Sequence, residues 1–242
     1  MIRASGNIDF KKNEIKPWQV KSWIIPKAGP DFVCAMEDVL DVYARPYNPN
    51  TPVVCVDESP KQLISECRTP FTDSKGVTYT DYEYKREGTV DLYMIAEPLG
   101  GRREVLVKDK HTRLEWAEVV AHIAEVMYPS ADKITLIHDN LSAHKKSALY
   151  EIFTPERARA IIERIEFVNT PKHGSWLNIA ECELSVLTRQ ALNARTSNKD
   201  EMTKKVTNWY ETRNKNMSKV DWQFTTKNAR VKLKRLYPTV KS

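Results

Sequence analysis

The sequence predicts an α/β fold, a mixed sheet flanked by helices, and three observations carry that expectation. Short apolar, β-branched runs such as Val53–Val56 and Ile134–Ile137 read as buried strands. The first is followed by a series of hairpin-connected strand runs, whereas the second lies between segments of helical periodicity. With 242 residues, 41% of them hydrophobic, the chain is long enough to bury one sizeable core. No apolar run approaches the ~18–20 residues that a membrane span needs, and the N-terminus lacks a signal-peptide pattern.

Taken in order, residues 1–28 are polar with apolar anchors at Trp18 and Trp23, and read as a linker. A helix is expected from Asp31 as N-cap to about Tyr43, with Phe32, Met36, Val39 and Leu40 on one face. The turn-rich Pro46–Pro52 leads into the strand Val53–Val56, which ends in Asp57. Short strand-like pieces follow around Gln62–Thr69 and Tyr79–Tyr84, then a stronger strand, Val90–Ala96. Gly100-Gly101 turns that strand into Glu104–Val107. Thr112-Arg-Leu-Glu115 is a capping box that opens a helix carrying Trp116, Val120, Ile123 and Met127 on one face.

The strand Ile134–Ile137 comes next and runs into His138-Asp139-Asn140. Helical structure should fill 144–164, with Thr154-Pro155 as a cap and first-turn proline. Glu166–Val168 is a short strand, Thr170–Trp176 a loop, and a helix runs from Asn178 to about Leu192. Two more helices are expected, Asn198 to about Tyr210 and Thr226 to about Leu236. The expected organisation is therefore a linker (1–28), a core (29–195) and a basic helical extension of that core (196–242).

Charge is unevenly placed. Residues 195–242 hold 13 Lys or Arg against 4 Asp or Glu, a surplus larger than the +6 of the whole chain. The rest is thus net acidic. Such asymmetry points to a polyanion partner, with a solvated basic helix as the bland alternative. Cys34, Cys55, Cys67 and Cys182 show no metal-binding spacing, and the strand and helix positions of Cys55 and Cys182 suggest buried, reduced thiols in a reducing cytoplasm.

Three acids stand where chemistry is natural. Asp57 and Asp139 each end an apolar strand run, and Glu181 sits just inside a helix. Carboxylates from separate elements suit Mg²⁺, which takes oxygen ligands and keeps open positions for water and phosphate. Two such ions ~3.5–4 Å apart clamp the attacking and leaving oxygens of a phosphoryl transfer, with Asp57 bridging both and Asp139 and Glu181 holding one each. Histidine and cysteine ligands would favour zinc, and the sequence does not cluster them. Each acid also has an ordinary reading, as a turn, cap or first-turn residue. Periodicity does not choose between Glu181 and Glu183, which flank the same buried stripe.

Val54-Cys-Val-Asp57-Glu58-Ser59, His138-Asp139-Asn140-Leu-Ser-Ala-His144 and Trp176-Leu-Asn178-Ile-Ala-Glu181 together resemble the IS630 family of insertion-sequence transposases, within the Tc1/mariner-like DDE group. The tail Asp221–Thr226 followed by Lys232–Pro238 is similar too, so the resemblance covers most of the chain from about residue 16. It implies an RNase H-like fold of five strands and a DDE-type catalytic core. It also implies Mg²⁺- or Mn²⁺-dependent DNA cleavage and strand transfer at element ends, with two ions per site. The Asn178-to-Glu181 spacing selects Glu181 as the third acid. The 41 residues between Asp139 and Glu181 exceed the spacing the group is named for, which an enlarged helical segment at 144–164 accounts for.

The resemblance further assigns Asn140, His144 and Asn178 as supporting residues. Lys172, His173 and Ser175 become candidate backbone contacts beside the metals, and Arg230, Lys232, Lys234 and Arg235 candidate phosphate contacts. Trp176 and Trp222 read as core anchors. DNA is the implied partner, terminal repeats and target alike, with a homodimer on DNA and a nucleoid location in the cytoplasm. Residues 1–30 show no helix-turn-helix pattern, leaving a truncated or split reading frame, or recognition by a separate helix-turn-helix polypeptide. A non-catalytic DNA-binding remnant and an RNase H-like nuclease remain as alternative functions.

Overall fold

A computed structural model describes residues 29–79 and 81–238; the expected linker 1–28 lies outside them. Helix α1 (Pro30–Tyr43) starts two residues earlier than its side-chain pattern suggests, because Pro30 occupies a first-turn position whose N–H has no helical partner anyway. Strand β1 (Val53–Glu66) is one 14-residue strand, running through Ser59-Pro60 where the sequence suggested a break. Its second edge is paired only at Val53–Cys55, so the proline sits where that edge carries no ladder.

A small separate hairpin follows, β2 (Phe71–Thr72) with β3 (Thr78–Tyr79). β4 (Tyr84–Glu97) and β5 (Arg102–Lys108) form the expected hairpin, turned at Gly101, whose φ of +71° favours glycine. The Thr112/Glu115 capping box opens α2 (Arg113–His122), which ends in one π-helical turn over Ile123–Met127. β6 (Ile134–His138) leads to a 3₁₀ turn, then α3 (Leu149–Ile152) and α4 (Pro155–Arg164), capped by Thr154 as read. β7 (Ile165–Asn169), α5 (Ile179–Ala191), α6 (Lys199–Lys215) and α7 (Thr226–Lys232) complete the chain, with a last 3₁₀ turn over Lys234–Leu236.

The five strands are ordered β5-β4-β1-β6-β7. β5, β4 and β1 are antiparallel neighbours, while β1, β6 and β7 run parallel. Strand alternation gives the sheet two apolar faces. Cys55, Leu92 and Met94 meet α1, α5 and α6 on one face; Val54, Val56 and Tyr93 meet α2 and α4 on the other. Met202, Val206 and Trp209 of α6 and Ala229 of α7 join the first of these cores, so the basic C-terminal helices pack on the same face of the sheet as α1 and α5. Among the described residues no helix is long and apolar enough to cross a membrane.

One buried ion cluster fixes α5 in place. Glu183 lies between Arg103 of β5, with Nε 3.1 Å from Oε2, and Arg213 of α6, with a terminal nitrogen 2.9 Å from Oε1. Arg103 also donates to the Ser218 carbonyl, and the Asn214 amide brackets its backbone. Removing one member of a buried pair leaves uncompensated charge, at about 3–5 kcal/mol. Glu183→Ala is therefore expected to lower unfolding free energy in urea by about that amount, whereas Glu181→Gln should leave it nearly unchanged.

Candidate active site

β6 stops at His138 while β1 continues, which leaves Asp57 at the point where the two parallel strands part. Alternation sends the two adjacent acids of β1 to opposite faces. Asp57 follows Cys55 towards α5, and Glu58 follows Val56 towards α2. Asp139, the first residue past β6, lies beside both.

Asn178 sets the third acid. It is fully buried, caps α5 by accepting from Ala180 N–H at 3.1 Å, and donates to the Val56 carbonyl at 2.9 Å. The first turn of α5 is thereby tied to the residue preceding Asp57. Tyr43 adds a second tie, donating to the Leu177 carbonyl at 2.8 Å and accepting from Ile179 N–H at 3.2 Å. Glu181 consequently faces an open groove with Asp57, Ser59, Lys61, Ser175 and Arg189 on its walls. The ambiguity left by periodicity has a plain geometric answer: Glu181 is exposed on the groove and Glu183 is buried between two arginines.

The acids repel one another. Burial, first, and then the charge of Glu58 push the Asp57 carboxyl up to about 7; Asp139 and Glu181 add to the rise, and only the Glu58 N–H, 2.9 Å from Oδ1, opposes it. Carboxylates gathered about Asp57, two of them on one open groove, fit a divalent cation well. Glu58 is raised as well, by burial first, with His144 acting against it.

Histidines do gather here, contrary to the sequence reading. His138, Asp139 and His144 each offer a ligand atom within 4.8 Å of the others. The Nδ1 atom of each ring is already engaged, whereas His138 Nε2 is buried without a hydrogen-bond partner. His138 Nδ1 donates to the Asp139 carbonyl at 2.8 Å, and His144 Nδ1 bonds Asp139 Oδ1. Burial holds His138 down at about 4, so its ring is neutral. His144 is buried and stacks on Trp116 with ring centroids 4.1 Å apart.

Other sequence-derived candidates fall in several places. Asn140 is exposed in the loop after Asp139. Lys172 and His173 are exposed in the turn before α5, with His173 at φ +65°. Arg230 forks Glu37 of α1 at 2.9 and 2.7 Å, which occupies the guanidinium expected to meet phosphate. Lys232, Lys234 and Arg235 are exposed. Trp176 is 42% exposed and anchors no core, because the turn that carries it lies outside the sheet layers; Trp222 packs half-buried on Tyr43 as expected. Cys182 is exposed, not buried, since it faces away from the stripe formed by Ala180, Leu184 and Leu187.

Lys61 and Arg189 were missed. Lys61 donates to Thr188 at 3.1 Å, and burial lowers its pKa. Reading β1 through Pro60 puts residues 57, 59 and 61 on one face, and that period is the signal that would have found it.

An acid whose folded pKa is raised binds protons more tightly folded than unfolded. The Asp57 contribution to the stability of the metal-free protein should therefore fall as pH rises from about 4 to 7 and level off above that, while the depressed His138 contributes the opposite slope between about 4 and 6.5. Asp57→Asn removes the penalty. In EDTA at pH 8 it should unfold at a higher temperature than wild type, by the equivalent of up to about 4 kcal/mol, with no gain at pH 4.

The family described as DDE superfamily endonuclease matches residues 52–203. No curated protein sequence matches the chain. Among solved structures, the Mos1 mariner paired-end complex with Mn is similar at 15% identity and a TM-score of 0.52, over 93% of this chain and 67% of that one. The Mos1 strand transfer complex is similar at 13% identity and a TM-score of 0.55, over 93% and 66%. The Mos1 transposase paired-end complex with left transposon end is similar at 14% and 0.51, over 83% and 60%. The likeness is one of fold, the RNase H-like sheet with helices on both sides, and this chain spans 60–67% of the length of those chains. The family match covers more than half of the sequence and includes Asp57, Asp139 and Glu181, and the chain belongs to the DDE superfamily endonucleases.

Proposed function

We propose that the chain is the catalytic part of a transposase of the IS630 type, cutting DNA at insertion-sequence ends and joining the freed 3′ ends to target DNA. One observation carries this reading: Asp139 at the end of β6 and Glu181 in the first turn of α5 both act on Asp57 of β1, and Asp57 and Glu181 line one open groove. The Mos1 structures with the same fold are paired-end and strand transfer complexes, some with Mn or Mg, which supports DNA and a divalent ion here.

In this reading Asp57 would hold two Mg²⁺ or Mn²⁺ ions, with Asp139 and Glu181 holding one each. When bound, the ions supply Lewis acidity that lowers the pKa of a water or 3′-hydroxyl and offset charge on the phosphate. The chain's own residues do the rest. Asn178 keeps Glu181 in register with Asp57. Lys61 and Arg189, on the groove wall, meet phosphate oxygens of the cleaved strand. Lys172, His173 and Ser175 hold the backbone on the α5 side, and the exposed Trp176 ring offers a base a stacking surface. Residues 29–195 form the catalytic unit, and the helices of 196–242 extend it with phosphate contacts from Lys232, Lys234 and Arg235. Two ends cut together call for a homodimer on DNA, in the nucleoid, with end recognition on a helix-turn-helix segment or polypeptide.

The reading is tested by Mg²⁺- or Mn²⁺-dependent cleavage of DNA carrying the element ends. Asp57→Asn, Asp139→Asn and Glu181→Gln should each lower cleavage by at least about 10³-fold, the equivalent of several kcal/mol of lost charge stabilisation. Cleavage with joined products supports a transposase; cleavage without joining makes the chain a nuclease, and retained cleavage in the triad variants sinks the assignment. Replacing Lys232, Lys234 and Arg235 together by alanine should flatten the salt dependence of DNA binding, by about 0.9 in log K against log salt for each lost phosphate contact. Arg230→Ala should not, because Glu37 already occupies that side chain.

A further inference from the structure

Asp139 is approached from both faces of the sheet. On the groove side it meets Asp57. On the opposite side His144 and Glu58 stand behind it, and no motif spacing puts those two side chains together. His144 Nδ1 donates to Asp139 Oδ1, and its Nε2 lies 3.3 Å from Glu58 Oε2, off the line of a full hydrogen bond. Both side chains are almost wholly enclosed, 2% exposed for His144 and 8% for Glu58. Trp116 stacks on the imidazole and fixes the plane of the ring. Glu58 has come to this face by strand alternation, directly across from Tyr93 on β4.

The consequence for Asp139 is directional. Its Oδ1 is claimed twice, by His144 and by the Leu141 N–H at 3.3 Å, while neither bond uses Oδ2. A carboxylate in a loop otherwise turns freely about its last torsion, and a cation has to select one orientation from many. A hydrogen-bond partner behind a ligand removes that freedom, and its loss typically costs 10–100-fold in metal affinity.

We propose that His144 and Glu58 are positioning residues for the metal site, His144 fixing Asp139 so that Oδ2 faces the groove and Glu58 holding the far edge of the imidazole. The inference rests on the carboxylate-triad reading above and deepens it. It assigns His144 a place behind a ligand and not among the ligands, so its share in the gathering of His138, Asp139 and His144 needs no bond to a metal.

The two ring nitrogens are separable by substitution. Asparagine at 144 places an amide nitrogen where Nδ1 stands, keeping the bond to Asp139 and losing Glu58. Glutamine places one near Nε2, keeping Glu58 and losing Asp139. The measurement is calorimetric titration of the metal-free protein with Mn²⁺ alone, beside thermal unfolding of each variant. His144→Ala and His144→Gln should bind Mn²⁺ about 10- to 100-fold more weakly than wild type. His144→Asn should recover to within a few-fold, and Glu58→Gln should show a smaller loss in the same direction.

The Mn²⁺ needed for half-maximal DNA cleavage should shift in the same order, with the rate at saturating Mn²⁺ largely retained in His144→Asn. Wild-type affinity in His144→Ala overturns the inference and leaves the triad standing. A folded His144→Asn no better than alanine also overturns it, as does equal loss in all three variants with preference for Zn²⁺, the mark of a direct ligand. No Mn²⁺ binding by wild type overturns the triad reading, and this inference with it.

Discussion

The Asn178 side chain joins strand to helix, and the geometry of the groove depends on that joint. One amide does two jobs: its oxygen caps α5 and its nitrogen reaches the Val56 carbonyl. That carbonyl belongs to the residue immediately before Asp57, so helix and strand cannot slide without breaking a fully buried hydrogen bond. Because the cap defines where α5 begins, it also defines which way Glu181, three residues on, projects. The third and first acids are therefore set relative to each other by a residue that touches neither chemistry nor solvent.

The second constraint is electrostatic. The acids crowd together in a partly buried site, and their repulsion disfavours the metal-free folded state. The surrounding structure resists with ties that do not involve them. Glu183 clamps α5 to β5 and α6 through two arginines, and Tyr43 ties the entry of α5 to α1. A site built this way is expected to trade stability for function, as strained and charged sites commonly do.

Much of this was legible in the sequence, and the failures have physical causes. The capping box at Thr112, the Thr154-Pro155 cap and the strand Ile134–Ile137 are local signals, and each element formed where its signal stood. The apparent break at Ser59-Pro60 misled because proline is judged against a fully paired strand, whereas β1 has lost its β6 neighbour by then. That one error hid Lys61 on the groove wall and the opposite facing of Glu58. Trp176 and Cys182 misled for a related reason: residue type suggests burial, but only the layer a residue faces decides it. The meeting of Glu58, His144 and Asp139 joins β1 to a loop more than 80 residues away, and no spacing rule carries such a contact.

Two pairs of neighbouring acids show the same division of labour. Asp57 faces the groove while the Glu58 side chain, at the groove's edge, is enclosed beside His144; Glu181 faces the groove and Glu183 the ion cluster behind it. In the strand the division follows from a period of two, so adjacent residues must part. In the helix a two-residue step turns by about 200°, with the same outcome. The chemistry needs carboxylates on one surface, and both backbones place the next acid along where it braces that surface. Acidic composition alone marks all four positions alike. Burial and partners separate them, and a carboxylate paired behind the site has a different consequence when lost from one left open to a cation.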